Sequence, residues 1–229
     1  MEYTGLTISN KFHPRDEIAS LHVDAQNTFT ELCNDELPVK GGHEIVGELN
    51  KNATFASIHT ASGDEHHENA LHIATPEHPQ LTPVNDPEHP DLDVFWKWHG
   101  QYKTYGWELL DGLPDRDKYD LFIRKGMDPR VHPYGACYHD RLETISTGLI
   151  EYYNYMKIRV IIAGGLAGDY CLRTSIKQLV KAEFLVILNL ASTRFLEPKN
   201  KDAVCKELKD LGVIIVKDST ELKKMAEAS

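Results

Sequence analysis

The stretch RVIIAGGLAGDYCLRTS, residues 159–175, decides how the rest of the chain is read. It opens on a β-branched apolar run, passes a glycine-rich turn and sets Cys171 at the start of a helical pattern. A run with no polar face suits a strand of a parallel sheet covered on both sides. A buried cysteine is usually a small hydrophobe. At a helix N-terminus it is also a candidate nucleophile, because the amide dipoles there favour thiolate. A dinucleotide loop is the weaker reading of AGGLAG. Leu166 stands where G-x-G-x-x-G needs its second glycine, and Asn189, not an acid, ends the next strand.

The same alternation recurs outward from this stretch. IASLHVDAQ (18–26), TFASIHTAS (54–62), YDLFIRKG (119–126), IRVIIAG, FLVILNL and VIIVKD read as strands. HEIVGELNKNA, residues 140–155, DYCLRTSIKQLVKA and KDAVCKELKDLG read as helices. Strand and helix in alternation predict an α/β fold, a three-layer, doubly wound, mainly parallel sheet of about six strands. One domain over residues 1–229 is expected. Residues 63–114 break the pattern with a long Pro-, His- and Asp-rich insert, and such loops are usually functional or disordered. Trp96, Trp98 and Trp107 favour order at its end. The residues before Ile18 carry no readable pattern.

Composition narrows the function classes. A chain of 229 residues can bury a substantial core without disulfides. A formal net charge of −10 argues against a nucleic-acid binder, which needs a basic face. No apolar run is long enough to span a bilayer, so no membrane partner is expected. MEYTGLTISNKFHPRDE lacks the basic start and apolar centre of a signal peptide. Cys33, Cys137, Cys171 and Cys205 form no CxxC pair, which suits free thiols in a reducing cytoplasm. The one anomaly is the crowd of histidines between His59 and His99, either a solvated loop or a metal site.

The residues at the strand ends are more specific. Asp24 comes after the first strand, Asp64 and His66 after the second, Lys125 after the third and Cys171 after the fourth. In a parallel sheet these ends share one edge, where ligands bind. Taken singly, Asp24 could cap a turn, Lys125 could be a solvated loop lysine, Cys171 could be packing, and the histidines could be solvated. Together they offer a base, a cation, a thiol and metal-type ligands at one place.

VDAQNTF, KGMDPRVHPYGA, STGL and GLAGDYCLRTS resemble the motifs of the isochorismatase-like cysteine hydrolases, and within them the nicotinamidases, over residues from about Leu21 to Phe195. The resemblance implies an Asp24–Lys125–Cys171 catalytic set. It implies an oxyanion site from the backbone N–H groups of Ala167 and Cys171, with the Leu166–Ala167 peptide cis. It also implies one divalent metal, zinc, iron or manganese, on Asp64, His66 and His99. His72 is the nearest candidate for a further ligand, ahead of His67 and Glu68. Phe29 and Trp96 match the aromatic residues that sandwich a pyridine ring. The implied reaction is hydrolysis of nicotinamide to nicotinate and ammonia by way of a cysteine thioester, in NAD salvage. The implied partners are a small-molecule amide and, as often in that family, further copies of the chain.

The chain departs from the family pattern around the pocket. DEHH replaces D-W-H-P, WKWHG replaces W-P-x-H-C, YGAC replaces YSAF, and Gly168 stands where threonine is frequent. Two other readings therefore stay open: a metal-independent cysteine hydrolase of another small amide or carbamoyl compound, and a non-catalytic binding protein.

Overall fold

The structure is a computed structural model and describes residues 3–227. β1 (Gly5–Ile8) and β2 (Lys11–Pro14) pair as an antiparallel hairpin in the stretch where the sequence shows no pattern. The main elements then run in order: β3 (Ile18–Val23), α1 (Val46–Ala53), β4 (Ile58–Asp64), β5 (Leu121–Lys125), α2 (Leu149–Tyr155), β6 (Val160–Gly165), α3 (Cys171–Lys181), β7 (Leu185–Thr193), α4 (Lys201–Asp210), β8 (Ile214–Val216) and α5 (Ser219–Glu227). The six strands β3 to β8 form one sheet in the order β5-β4-β3-β6-β7-β8, parallel throughout.

Period-two alternation explains why the central strands are apolar on both faces. Ala19, Leu21, Val23, Ile161, Ala163, Val186 and Leu188 point to one side, where Tyr153 of α2, Leu172, Ile176 and Leu179 of α3, and Leu208 of α4 cover them. Ile18, Val160, Ile162 and Ile187 point to the other, against Leu6 and Ile8 of the hairpin and Leu222 of α5. α1 packs on β3, β6 and β7 and against α5 on that second side. The result is the expected three-layer, doubly wound α/β architecture.

The helix expected over residues 140–155 is shorter than its pattern. The Asp140 carboxylate accepts the backbone N–H groups of Thr144 at 2.9 Å and Ile145 at 2.8 Å. These local bonds turn the chain into a loop, and α2 starts only at Leu149. The strand expected over 54–62 also shifts, to Ile58–Asp64. Phe55 and Ala56 leave the sheet and pack into the core on the hairpin side.

Between β4 and β5 the chain runs without a strand or α-helix, as the composition of that stretch suggests. It is held by local pairings instead, Ile73 with Trp96 and Pro83 with Val94. No helix of the described residues is long and apolar enough to cross a membrane.

Candidate active site

The strand order reverses between β3 and β6, and the groups singled out from the sequence meet beyond the carboxyl ends of the strands there. Asp24 comes directly after β3 with φ +46°, a left-handed turn that aspartate tolerates better than most residues. Its N–H donates to the Ser62 carbonyl at 3.1 Å, and its Oδ1 accepts the Ser62 hydroxyl at 2.6 Å. Lys125 ends β5 and is wholly buried. Its Nζ lies 2.7 Å from Asp24 Oδ2 and 2.8 Å from Asp64 Oδ1, and donates to the Tyr134 carbonyl at 2.8 Å. One ammonium thus pairs with two carboxylates at ion-pair distance while donating to a carbonyl. Cys171 is the first residue of α3, and its sulfur lies within 4.8 Å of carboxylate oxygens of both Asp24 and Asp64.

Burial and charge oppose each other in this group. Burial pushes the Asp24 carboxyl up to about 6, although the Lys125 ammonium pulls the other way. Burial would discharge Lys125, but the two carboxylates outweigh it and hold the ammonium well above its usual range. For Asp64 burial loses to Lys125, His66 and His99, and the carboxyl sits well below its usual range. The expectation that the helix N-terminus alone favours thiolate is corrected at Cys171. Burial pushes the thiol well above its ordinary value, against the pull of Lys125. The resting sulfur is therefore held as the thiol, beside the Asp24 carboxylate.

Asp64, His66 and His99 bring ligand atoms within 4.8 Å of one another. His99 donates Nδ1–H to the Lys97 carbonyl at 2.6 Å, which leaves the Nε2 lone pair facing Asp64 Oδ2 at 3.7 Å. His66 Nε2 lies 3.6 Å from the same oxygen, and neither of its ring nitrogens has a hydrogen-bond partner. Lone pairs converging on a carboxylate call for a cation among them. Burial also lowers the pKa of His66, keeping it in the neutral, ligating form. An imidazole and carboxylate donor set fits zinc, iron or manganese. Gly126 explains the K-G dipeptide: at φ +78°, a Cβ there would stand 2.4 Å from His66 Nδ1.

A narrow cavity opens over these groups. Phe29, Trp96, Tyr134 and Tyr170 supply its aromatic walls, and Ala167 and Cys171 both line it. The Leu166–Ala167 peptide is cis. Trp96 is held by its Nε1–H, donated to the Tyr134 hydroxyl at 2.9 Å, and stands perpendicular to Tyr170 at 5.0 Å. Tyr134 in turn donates to Asp93 at 3.1 Å.

Several neighbours escaped the reading of the sequence. Ser62 orients Asp24. Gln26 accepts the Asp64 N–H at 2.7 Å and donates to the Asp64 carbonyl at 2.9 Å, which fixes the strand end. His132, Tyr134 and Tyr170 line the cavity from loops or a helix cap. Tyr134 and His132 lie inside the quoted KGMDPRVHPYGA, but a loop has no periodicity to say which side chain points inward. His72 lies beside His66 and His132, not within the Asp64–His66–His99 triad.

No protein-family model matches the chain, and no curated protein matches it by sequence. Solved structures do. A nicotinamidase/pyrazinamidase of Acinetobacter baumanii superposes with a TM-score of 0.81 at 23% identity, over 92% of this chain and 99% of that one. PnC1 of L. infantum in complex with nicotinate gives 0.72 at 23%, over 93% and 96%. The pyrazinamidase of Pyrococcus horikoshii in complex with zinc gives 0.66 at 23%, over 87% and 98%. The fold is that of the isochorismatase-like hydrolases and nicotinamidases.

Proposed function

We propose that this chain is a metal-dependent amidohydrolase that converts nicotinamide to nicotinate and ammonia through a thioester on Cys171. The observation that carries the reading is the buried Asp24–Lys125–Cys171 group at the base of an aromatic-walled cavity, beside Asp64, His66 and His99. The similar fold of an enzyme solved with nicotinate supports it, as does that of one solved with zinc.

Asp24 accepts the Cys171 proton as the sulfur attacks the amide carbonyl. Lys125 keeps the carboxylate in place and offsets the negative charge moving between oxygen and sulfur. The backbone N–H groups of Ala167 and Cys171 receive the developing oxyanion. Asp24 then gives its proton to the leaving nitrogen, and ammonia departs from a thioester. Water attacks the thioester carbonyl, losing its proton to Asp24. The acid leaves, and the proton returns to the sulfur. Asp64, His66 and His99 would hold the metal, which when bound supplies a Lewis acid for the ring nitrogen. Phe29 and Trp96 flank the ring and set its carbonyl over the sulfur. The product feeds NAD salvage, and four free cysteines suit a reducing compartment.

The test is ammonia release from nicotinamide by metal-loaded protein, with Cys171→Ala as the blank. Release that stops in the variant and after chelation is expected. No release from folded, metal-loaded protein removes nicotinamide as the substrate. Release from another small amide alone would keep the hydrolase and change its substrate.

A further inference from the structure

The insert between β4 and β5 reaches the aromatic wall of the cavity through one carboxylate. Its chain closes on itself: Val84 donates its N–H to the Asp93 carbonyl at 2.9 Å, Phe95 to the Thr82 carbonyl at 2.9 Å, and Trp96 to the His72 carbonyl at 2.7 Å. These backbone bonds close the insert, and none of them uses the Asp93 side chain. That side chain is turned instead onto the Tyr134 hydroxyl, which lies 3.1 Å from Asp93 Oδ1 and 3.2 Å from Oδ2. Asp93 Oδ1 also accepts the Val94 N–H at 2.8 Å, which fixes the direction of the carboxylate. Two residues earlier, Asp91 accepts the His132 N–H at 2.9 Å. The insert thus meets the loop of residues 132–134 at two points.

The proton positions along Asp93, Tyr134 and Trp96 are forced. An indole N–H can only donate, so the Tyr134 oxygen accepts from Trp96 Nε1 at 2.9 Å. The phenol has one proton, and that proton goes to the carboxylate. Neither Tyr134 nor Trp96 keeps a side-chain donor for the cavity that both of them line. A bond to a charged acceptor is roughly twice as strong as one between neutral groups, so the carboxylate is the firm end of this chain. Trp96 is buried, and Tyr134 and Asp93 are half-buried.

We propose that Asp93 is a positioning residue that sets the specificity of the cavity: acting through the Tyr134 hydroxyl, it fixes the Trp96 ring as a flat apolar wall, and the cavity then favours an aromatic amide over an acyclic one. The inference rests on the aromatic-amide reading of the proposed function and names a residue that enforces it from the insert. A flat ring gains most from an aromatic face already held in place, because no ordering of that face is needed when the ring arrives. An acyclic amide makes little use of the wall, yet it meets the same Asp24–Lys125–Cys171 group. Without the Asp93 carboxylate the phenol proton turns elsewhere and the indole loses its fixed partner. Discrimination then falls while the reacting group stays as it was.

The experiment compares two reagents that alkylate Cys171 in the full chain, iodoacetamide and a bromoacetylpyridine, with the product read at the Cys171 peptide by mass spectrometry. Both react at the sulfur, and only the second carries a ring for the aromatic wall. Asp93→Ala should slow the ring reagent by about 5–20-fold relative to iodoacetamide, the loss of one charge-assisted hydrogen bond, and leave iodoacetamide itself unaffected. Tyr134→Phe keeps the ring, removes the hydroxyl and should give the same shift, with no further loss in the double variant. In nicotinamide hydrolysis Asp93→Ala should raise KM by a similar factor and leave kcat nearly unchanged. Glu88→Ala, at an exposed carboxylate of the same insert, should change none of these. An unchanged ratio of the two reagents in folded Asp93→Ala overturns the proposal. Equal slowing of both reagents also overturns it, since Asp93 would then support the whole site and not the wall. Should Asp93→Ala fail to fold, Tyr134→Phe decides the matter by the same ratio. A shifted ratio in a chain that releases no ammonia from nicotinamide would uphold the role of Asp93 and remove that substrate.

Discussion

The Lys125 ammonium stands 2.7 Å from an Asp24 oxygen, with both side chains wholly removed from solvent. The pair does not stand alone, since Lys125 also neutralises Asp64. Taking Lys125 away strands two buried carboxylates. Breaking a buried pair typically costs about 3–5 kcal/mol. Lys125→Met should therefore lower the melting temperature by about 6–20 °C, at the usual 2–4 °C per kcal/mol for a chain of this size. Adding Asp24→Asn to it should restore part of the loss. A melting temperature within about 2 °C of the original would contradict this account of the pair.

Gly126 and His66 give a second test. A methyl group at position 126 would overlap the His66 ring and would need a left-handed backbone as well. Gly126→Ala should displace the ring from Asp64 and weaken metal binding by about 10–100-fold, the range seen when ligand orientation is lost. Competition against a chelator measures it. Unchanged affinity would mean that His66 is not a ligand.

Trp96 tests the aromatic wall. Its ring is set by Tyr134 and Tyr170 and lines the cavity. Trp96→Ala should raise KM for an aromatic amide by about 10–100-fold, or 1–3 kcal/mol of lost contact, with a smaller change in kcat. A fall in kcat alone would place Trp96 in the chemistry instead of in binding.

His22 predicts an acid limb in stability. Its ring is buried, bonded to the Leu49 carbonyl at 3.1 Å and the Tyr119 hydroxyl at 3.1 Å, with His59 near. Burial is the main cause that brings it down to about 4 from an ordinary 6.5. Below pH 6.5 the unfolded chain binds a proton that the folded chain refuses, so stability is lost as pH falls from 6.5 towards 4. The loss reaches about 3 kcal/mol, at 1.4 kcal/mol per pKa unit. His22→Gln should flatten that limb in urea unfolding measured between pH 7 and 4. An unchanged slope would assign the acid sensitivity to other groups.

The sheet was legible because its signal is local. Fully apolar runs such as VIIAG and FLVILNL have no solvated face, so they had to lie inside a covered parallel sheet. The four strand ends then ordered Asp24, Asp64, Lys125 and Cys171 along one edge. The helix over 140–155 misled because Asp140 spends its oxygens on backbone N–H groups four and five residues on. The hairpin before Ile18 was not visible, since four-residue strands carry too little alternation to stand out.

By itself the sequence determined the α/β class, the six strands and the residues at their ends, because backbone period and side-chain polarity are written residue by residue. Only the tertiary structure decided the state of Cys171 and the gathering of the buried histidines. Burial, which raises the thiol and leaves the imidazoles unpaired, depends on what other parts of the chain cover. His132 is the clearest case. It lies 60 residues beyond His72 in the chain, and Asp91 and the Tyr134 loop stack its ring on that histidine.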